Sequence, residues 1–392
     1  MSNRIALIAA VVLTAAGLAV PAAGASPKLL VGLNDEANTL YGPEIDKTFT
    51  TMQQLRTQVL RVNMYWGGNR YGVAQTKPAV ATDPGDPAYD WSLYDRLVRF
   101  SSQYNIKVVF SILFTPGWAN GGKPKTYAPT NATDLRKFAY AAAKRYSGTY
   151  IPPLAQQDPN NTSSALPLPA VRYWTAWNEP NNPIWLAPQW KKVGGKFRIE
   201  SAFQYVKICN AVYSGVHQTA LSNEKVACGV TGPRGNNAPT SGRPSVDPMS
   251  FIRALHTYGL RKFDVYAHHP YYGQRTETPT FKPNPKSGTV ELGNISTLIT
   301  QVTKFWGAKR IWITEYGYQT PPERLLAVSN AQQARYLTQA YAIARKNPRI
   351  DMMLWFLLKD DTAIASGWQS GLVTATWAHK PAFNAFRNLP RG

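Results

Sequence analysis

Two carboxylates sit in segments built for chemistry. Glu179 lies in Trp177-Asn178-Glu179-Pro180-Asn181, and Glu315 in Ile313-Thr314-Glu315-Tyr316-Gly317. Each closes a short apolar, β-branched or aromatic run and opens a segment rich in Gly, Pro or Asn. That is how the C-terminal end of a buried parallel strand reads. Two positions so far apart in sequence meet only if their strands share one sheet rim. A facing pair of carboxyls is the machinery of glycosidic bond cleavage. Glu179 suits the acid/base: Pro180 fixes the turn, and Trp177 and Trp185 offer apolar cover that would raise its pKa. Glu315 suits the nucleophile, which must stay ionised, and Arg61 and Tyr271 lie at strand ends from which they could donate to it. Asn178 is placed to hydrogen-bond a sugar hydroxyl beside the reacting carbon.

Eight short apolar runs supply the strands: 29–33, 59–65, 106–113, 171–177, 225–231, 263–269, 310–315 and 352–358. Amphipathic stretches separate most of them, at 45–56, 91–104, 133–147, 197–219, 248–258, 295–306 and 331–346, and a final helical stretch covers 381–389. Strand-helix alternation of this length predicts a single-domain α/β (β/α)8 barrel with enlarged rim loops. A doubly wound sheet is the alternative, but no Gly-rich phosphate turn follows the first strand. Long connections follow strands two, three, four, five, six and eight, the side on which barrel enzymes build their sites. The segment 148–169 precedes a strand instead and reads as an excursion on the opposite face.

At these residues the chain resembles the clan A glycoside hydrolases, with strand four ending in Trp-Asn-Glu-Pro-Asn and strand seven in Thr-Glu-Tyr-Gly. The run 177–181 is most similar to families 39 and 5 of that clan. The resemblance covers essentially the whole mature chain. It implies Glu179 as acid/base, Glu315 as nucleophile and Asn178 as the contact to the sugar 2-hydroxyl. It further implies that Arg61 neighbours the nucleophile, that His269 and Tyr271 form the His/Tyr pair after strand six, and that Trp355 is the aromatic floor beneath the reacting sugar. Retention of configuration follows from the same resemblance. One departure stands out: the strand-three end, Phe114-Thr115-Pro116-Gly117-Trp118, lacks the His of several of these families.

The remaining features bound the setting. Arg4 followed by the apolar run 5–20 and by Ala23-Gly24-Ala25 reads as a secretory signal over 1–25, leaving 26–392 as the catalytic domain and a secreted product. No other stretch is apolar enough to span a bilayer. Cys209 and Cys228 form a disulfide or stay as two buried thiols. Five scattered His without ligand spacing predict no catalytic metal, and the chemistry needs no cofactor. The net charge of +21 comes from scattered Lys and Arg with local clusters such as Lys191-Lys192-Lys196-Arg198. It carries no nucleic-acid signature, so the expected partner is a carbohydrate substrate, with a monomer favoured. Adjacent His268 and His269 face opposite ways on a strand, and parity with Tyr271 turns His269 inward. Trp118 and Trp185 in rim loops are candidate sugar-stacking rings, and Asn34, Asp35, Asp360 and Asp361 are candidate hydroxyl ligands. The alternatives to a hydrolase are a transglycosylase on the same scaffold and a non-catalytic carbohydrate- or polyanion-binding barrel.

Overall fold

A computed structural model describes residues 28–159 and 161–391. The signal segment expected over 1–25 lies outside the described residues. Among the described residues ten strands are present: β1 (Leu30–Asn34), β2 (Val59–Tyr65), β3 (Lys107–Leu113), β4 (Tyr173–Ala176), β5 (Trp190–Val193), β6 (Lys196–Ile199), β7 (Lys225–Thr231), β8 (Val265–His268), β9 (Arg310–Tyr316) and β10 (Ile350–Phe356). The helices are α1 (Glu36–Thr39), α2 (Ile45–Gln54), α3 (Ser92–Gln103), α4 (Gly117–Asn120), α5 (Ala132–Arg145), α6 (Glu200–His217), α7 (Pro248–Thr257), α8 (Ile295–Trp306), α9 (Asn330–Lys346) and α10 (Pro381–Arg387). All strands but β5 and β6 close into one parallel barrel, β1-β10-β9-β8-β7-β4-β3-β2, with β1 pairing β2. The fold is therefore a (β/α)8 barrel, and closure rules out the doubly wound sheet. Among the described residues no helix is long and apolar enough to cross a membrane.

Strand alternation builds two cores. The lumen is filled by Val59, Val109, Ala227, Val265, Ala267, Trp312, Met352 and Leu354. Residues of opposite parity pack outward against the helices, among them Leu60, Val62, Phe110, Trp174, Ile313 and Trp355. The second core is larger because every helix presents an apolar stripe to the sheet. Asn131 caps α5 and Ser329, with Gln332, forms a capping box on α9, which fixes where those helices start. Arg145 on α5 is fully buried, and its Nε and NH2 take both oxygens of Asp95 on α3 at 2.9 and 2.6 Å. Cys209 on α6 and Cys228 on β7 are disulfide-bonded, which resolves the open choice.

One element departs from the expectation. The segment 190–199 is an antiparallel hairpin, so α6 begins at Glu200 and not near Phe197. Its turn is Gly194-Gly195, with φ of +55° and +81°. Two consecutive left-handed residues make the tight turn whose twist matches a hairpin.

Candidate active site

The upper lumen, above the apolar layers, is polar. Asn34 pairs in register with Arg61, and Asn63 on β2 pairs with Ser111 on β3, so the strand ends point one polar ring at the rim. Arg61 is fully buried and donates in three directions: NH1 to Glu315 Oε1 at 2.5 Å, NH2 to Asn178 Oδ1 at 2.7 Å and Nε to Ser111 Oγ at 2.9 Å. Ser111 in turn bonds Thr175 on β4. A planar guanidinium with its whole fork engaged has no rotational freedom left, so it fixes Glu315 and Asn178 against each other.

Glu315 owes its aim to a bulge. Ile313 pairs with Met353 and Tyr316 with Trp355, so β9 carries one residue more than β10 over this step. An extra residue re-aims side chains locally, and here both Thr314 and Glu315 reach the interior network. Besides Arg61, Glu315 accepts the Tyr271 hydroxyl at Oε2 (3.1 Å) and the Asn34 amide at Oε1 (3.4 Å). Burial pushes its carboxyl up, but His269 and Arg61, with the hydrogen bonds from Arg61 and Tyr271, outweigh this. The carboxyl is held below the usual carboxylate range. Burial, then the nearby Glu315 and Glu179 charges, keeps the Tyr271 phenol protonated, well above its ordinary value.

Glu179 follows β4 in a strained turn. Trp177 and Glu179 have φ of +69° and +34°, in the region that favours glycine. The turn is held by Glu179 N–H donating to Val230 O and by Asn182 N–H donating to Glu179 O, both at 2.9 Å. Gly232 supplies the room beside the carboxylate, since a Cβ there would lie 3.0 Å from Glu179 Cδ. His269, fully buried, joins the two acids: its Nδ1 is 3.0 Å from Glu179 Oε1 and 3.7 Å from Glu315 Oε2. On its other side Nε2 lies 2.9 Å from the Thr314 hydroxyl. The ligand atoms of Glu179, His269 and Glu315 all lie within 4.8 Å of one another. That spacing would admit a cation, but the Arg61 guanidinium already supplies the positive charge at Glu315.

The structure thus brings Glu179, Glu315, Asn178, Arg61, His269 and Tyr271 into one network. His268 points the other way, accepting from Thr231 Oγ1 at Nδ1 (2.8 Å) and donating from Nε2 to Val290 O (3.0 Å). Its burial lowers its pKa to about 3. Trp355 is a correction. Met352 and Leu354 face the lumen, so Trp355 faces the helices, where it is fully buried with Nε1 donating to Ser370 O at 2.8 Å. Phe356, next along, takes the inward position, 6.4 Å from the Tyr271 ring and 5.4 Å from Trp368. Trp368 also leans on Tyr271 at 5.6 Å.

Trp118 and Trp185 are not drawn into the carboxylate network. Trp118 donates from Nε1 to Ala74 O at 3.0 Å and packs edge-on against Trp66, while Trp185 stacks on Phe114 at 5.8 Å. Asp35 is also structural: fully buried, it caps α1 and accepts Leu358 N and Lys359 N, both at 3.2 Å. Asp360 is taken by buried Lys380 at 2.7 Å, and Asp361 accepts Trp368 N at 2.6 Å, shaping the loop that carries that ring. Thr314, Ser111 and Phe356 were missed in the sequence; strand parity counted from Met352 was the signal for Phe356.

Residues 257–375 match the family described as glycosyl hydrolase catalytic core. Over that segment the chain is similar to the catalytic core of glycosyl hydrolases. The match takes in the segment from α7 to the loop after β10, and so includes His269, Tyr271, Glu315 and Phe356. A family 39 glycoside hydrolase from Bacteroides cellulosilyticus WH2 superposes with a TM-score of 0.60 at 16% identity, covering 92% of this chain and 63% of that one. A glucosidase from Croceicoccus marinus gives 0.63 at 11% identity, covering 93% and 67%. Xylanase B from Clostridium stercorarium F9 gives 0.51 at 15% identity, covering 92% and 97%. These likenesses concern the barrel fold, and the chain spans under two thirds of the family 39 enzyme's length. No curated protein matches the chain in sequence.

Proposed function

We propose that the protein is an exported, retaining glycoside hydrolase that cleaves O-glycosidic bonds of a polysaccharide or oligosaccharide. The observation that carries this reading is the spacing of the two acids, whose nearest oxygens lie within 4.8 Å. Double displacement uses carboxyls about 5–5.5 Å apart, whereas inversion needs about 6.5–9.5 Å to admit a water between acid and sugar. Glu315, kept ionised by Arg61, Tyr271 and Asn34, attacks the anomeric carbon. Glu179 gives its proton to the leaving oxygen as that bond breaks. The sugar is then held as an ester of Glu315. Glu179, now a carboxylate, takes a proton from water, and the resulting hydroxide displaces Glu315 and restores both acids.

Asn178 points its amide oxygen at Arg61, which leaves its nitrogen as donor to the sugar 2-hydroxyl. Phe356 and Trp368 supply the apolar wall for a sugar face. The secretory pattern of 1–25 and the Cys209–Cys228 bond both suit an oxidising compartment outside the cytosol.

Reducing-sugar release across neutral and uronate-bearing glucans, xylans, mannans, galactans and arabinans tests the reading, wild type beside Glu315→Ala. Release by wild type alone is expected. No release from any polymer, or equal release by both proteins, would overturn it.

A further inference from the structure

The β5–β6 hairpin is the element the catalytic reading leaves unused. Its sequence is Trp190-Lys191-Lys192-Val193-Gly194-Gly195-Lys196-Phe197-Arg198-Ile199. Gln189 locks its root to the catalytic loop. That buried side chain donates to Pro180 O, one residue past Glu179, at 2.9 Å, while Gln189 O accepts Glu200 N at 2.9 Å. Trp190 Nε1 reaches Ser245 O at 3.4 Å, in the loop after β7. The hairpin therefore stands on the rim between the loops after β4 and β7, on the Glu179 side of the site.

Its charges are arranged against its own stability. Lys191 lies directly across the ladder from Arg198, a like-charge pair that disfavours pairing. Arg198 is neutralised by Glu200 at 2.6 Å, but among the described residues Lys191, Lys192 and Lys196 make no ion pair and all three are exposed. Apolar side chains sit among them: Val193 and Phe197 are 48% and 46% exposed. Phe197 pairs with Lys192 on one face. An aromatic face beside an ammonium group matches a sugar ring that bears a carboxylate.

We propose that this hairpin is a docking arm for an acidic, carboxylate-bearing polysaccharide, which it grips on the leaving-group side of Glu179. The side assignment rests on the acid/base reading of Glu179. A free membrane-binding hairpin would have no reason to be rooted at Pro180, whereas this root sets the lysines beside the loop that carries Glu179. The lysines raise the local concentration of the anionic chain and hold it where Glu179 meets the leaving oxygen.

Affinity electrophoresis in gels containing polygalacturonate, with dextran as the neutral control, tests the proposal on the full-length secreted protein. The variant Lys191→Ala/Lys192→Ala/Lys196→Ala should lose roughly tenfold in affinity for polygalacturonate at low ionic strength, and added salt should erase the difference. Lys137→Ala/Lys304→Ala/Lys346→Ala carries the same charge change on the outer helices α5, α8 and α9, and should bind as wild type does. Equal losses in both variants would reduce the effect to overall charge and overturn the proposal. So would wild-type binding no tighter to polygalacturonate than to dextran, or hairpin-dependent binding to anionic phospholipid vesicles in place of polygalacturonate. The assay needs no turnover. Lysine-dependent binding without sugar release from any polymer would sink the hydrolase reading and the side assignment but leave the docking arm standing, and sugar release with lysine-independent binding would sink this inference alone.

Discussion

His269 Nδ1 is hydrogen-bonded to Glu179 Oε1 at 3.0 Å. The same nitrogen is 3.7 Å from Glu315 Oε2, so one ring senses both acids. In the low state of Glu315, burial acts upward and His269 is the largest opposing influence. Removing the ring lets the Glu315 carboxyl rise toward the ordinary range. A nucleophile must be ionised, so activity falls as pH drops through its pKa, and raising that pKa moves the acid limb to higher pH. His269→Gln should therefore shift the acid limb of the kcat/KM profile upward and lower kcat roughly 100-fold. A pH–rate profile with an unmoved acid limb would contradict the assignment.

Arg61 binds Glu315, Asn178 and Ser111 through three separate nitrogens. Lysine keeps the charge but cannot span three acceptors with fixed geometry. Arg61→Lys should cost roughly 100-fold in kcat/KM while leaving the chain folded, and Arg61→Met should also destabilise it by about 3–5 kcal/mol, because Glu315 loses its guanidinium partner and Asn178 and Ser111 lose their buried donor. Activity assays beside denaturant unfolding check both. Full activity in Arg61→Lys would show that charge alone suffices.

Trp355 and Phe356 are neighbours with opposite destinations, and they separate stability from binding. Trp355→Ala empties a site between barrel and helices and should cost about 3–5 kcal/mol in unfolding free energy. Phe356→Ala should leave the unfolding midpoint near wild type and raise KM roughly tenfold through loss of the apolar wall. The reverse pattern, with KM sensitive to Trp355 and not to Phe356, would restore Trp355 to the sugar.

The eight barrel strands were legible because each is a continuous apolar run buried on both faces, and the rim position of Glu179 and Glu315 followed from where those runs stop. What escaped was anything decided by side-chain parity or by distant chain. Trp355 attracted notice by residue type, although counting from Met352 and Leu354 sends it outward. The hairpin was hidden by its lysines, yet Gly194-Gly195 between Val193 and Lys196 is a turn signal in itself. Asp35 looks like any polar residue after a strand, and only closure of β1 against β10 reveals that Leu358 and Lys359 occupy it. The Cys209–Cys228 bond depends on how α6 lies on β7, which spacing alone does not contain.

Asp35 also carries a pH signature. Burial raises its carboxyl to about 6, above the ordinary value, against the hydrogen bonds from Asn38 and Lys359 that lower it. The folded chain then holds this proton more tightly than the unfolded chain does. Its contribution favours folding below about pH 4 and is lost as pH rises through about 6, by at most about 3 kcal/mol. The unfolding free energy of wild type should fall over that window relative to Asp35→Asn. Parallel stability curves for the two proteins would remove Asp35 from the account.

Double displacement requires that Glu315 become covalently bound to sugar. Aryl 2-deoxy-2-fluoro glycosides of glucose, xylose, mannose and galactose, in both anomers, should inactivate the protein slowly, and peptide mass spectrometry should place one sugar on Glu315. An adduct on any other residue, or turnover with inversion at the anomeric carbon and no adduct, would contradict double displacement at this site.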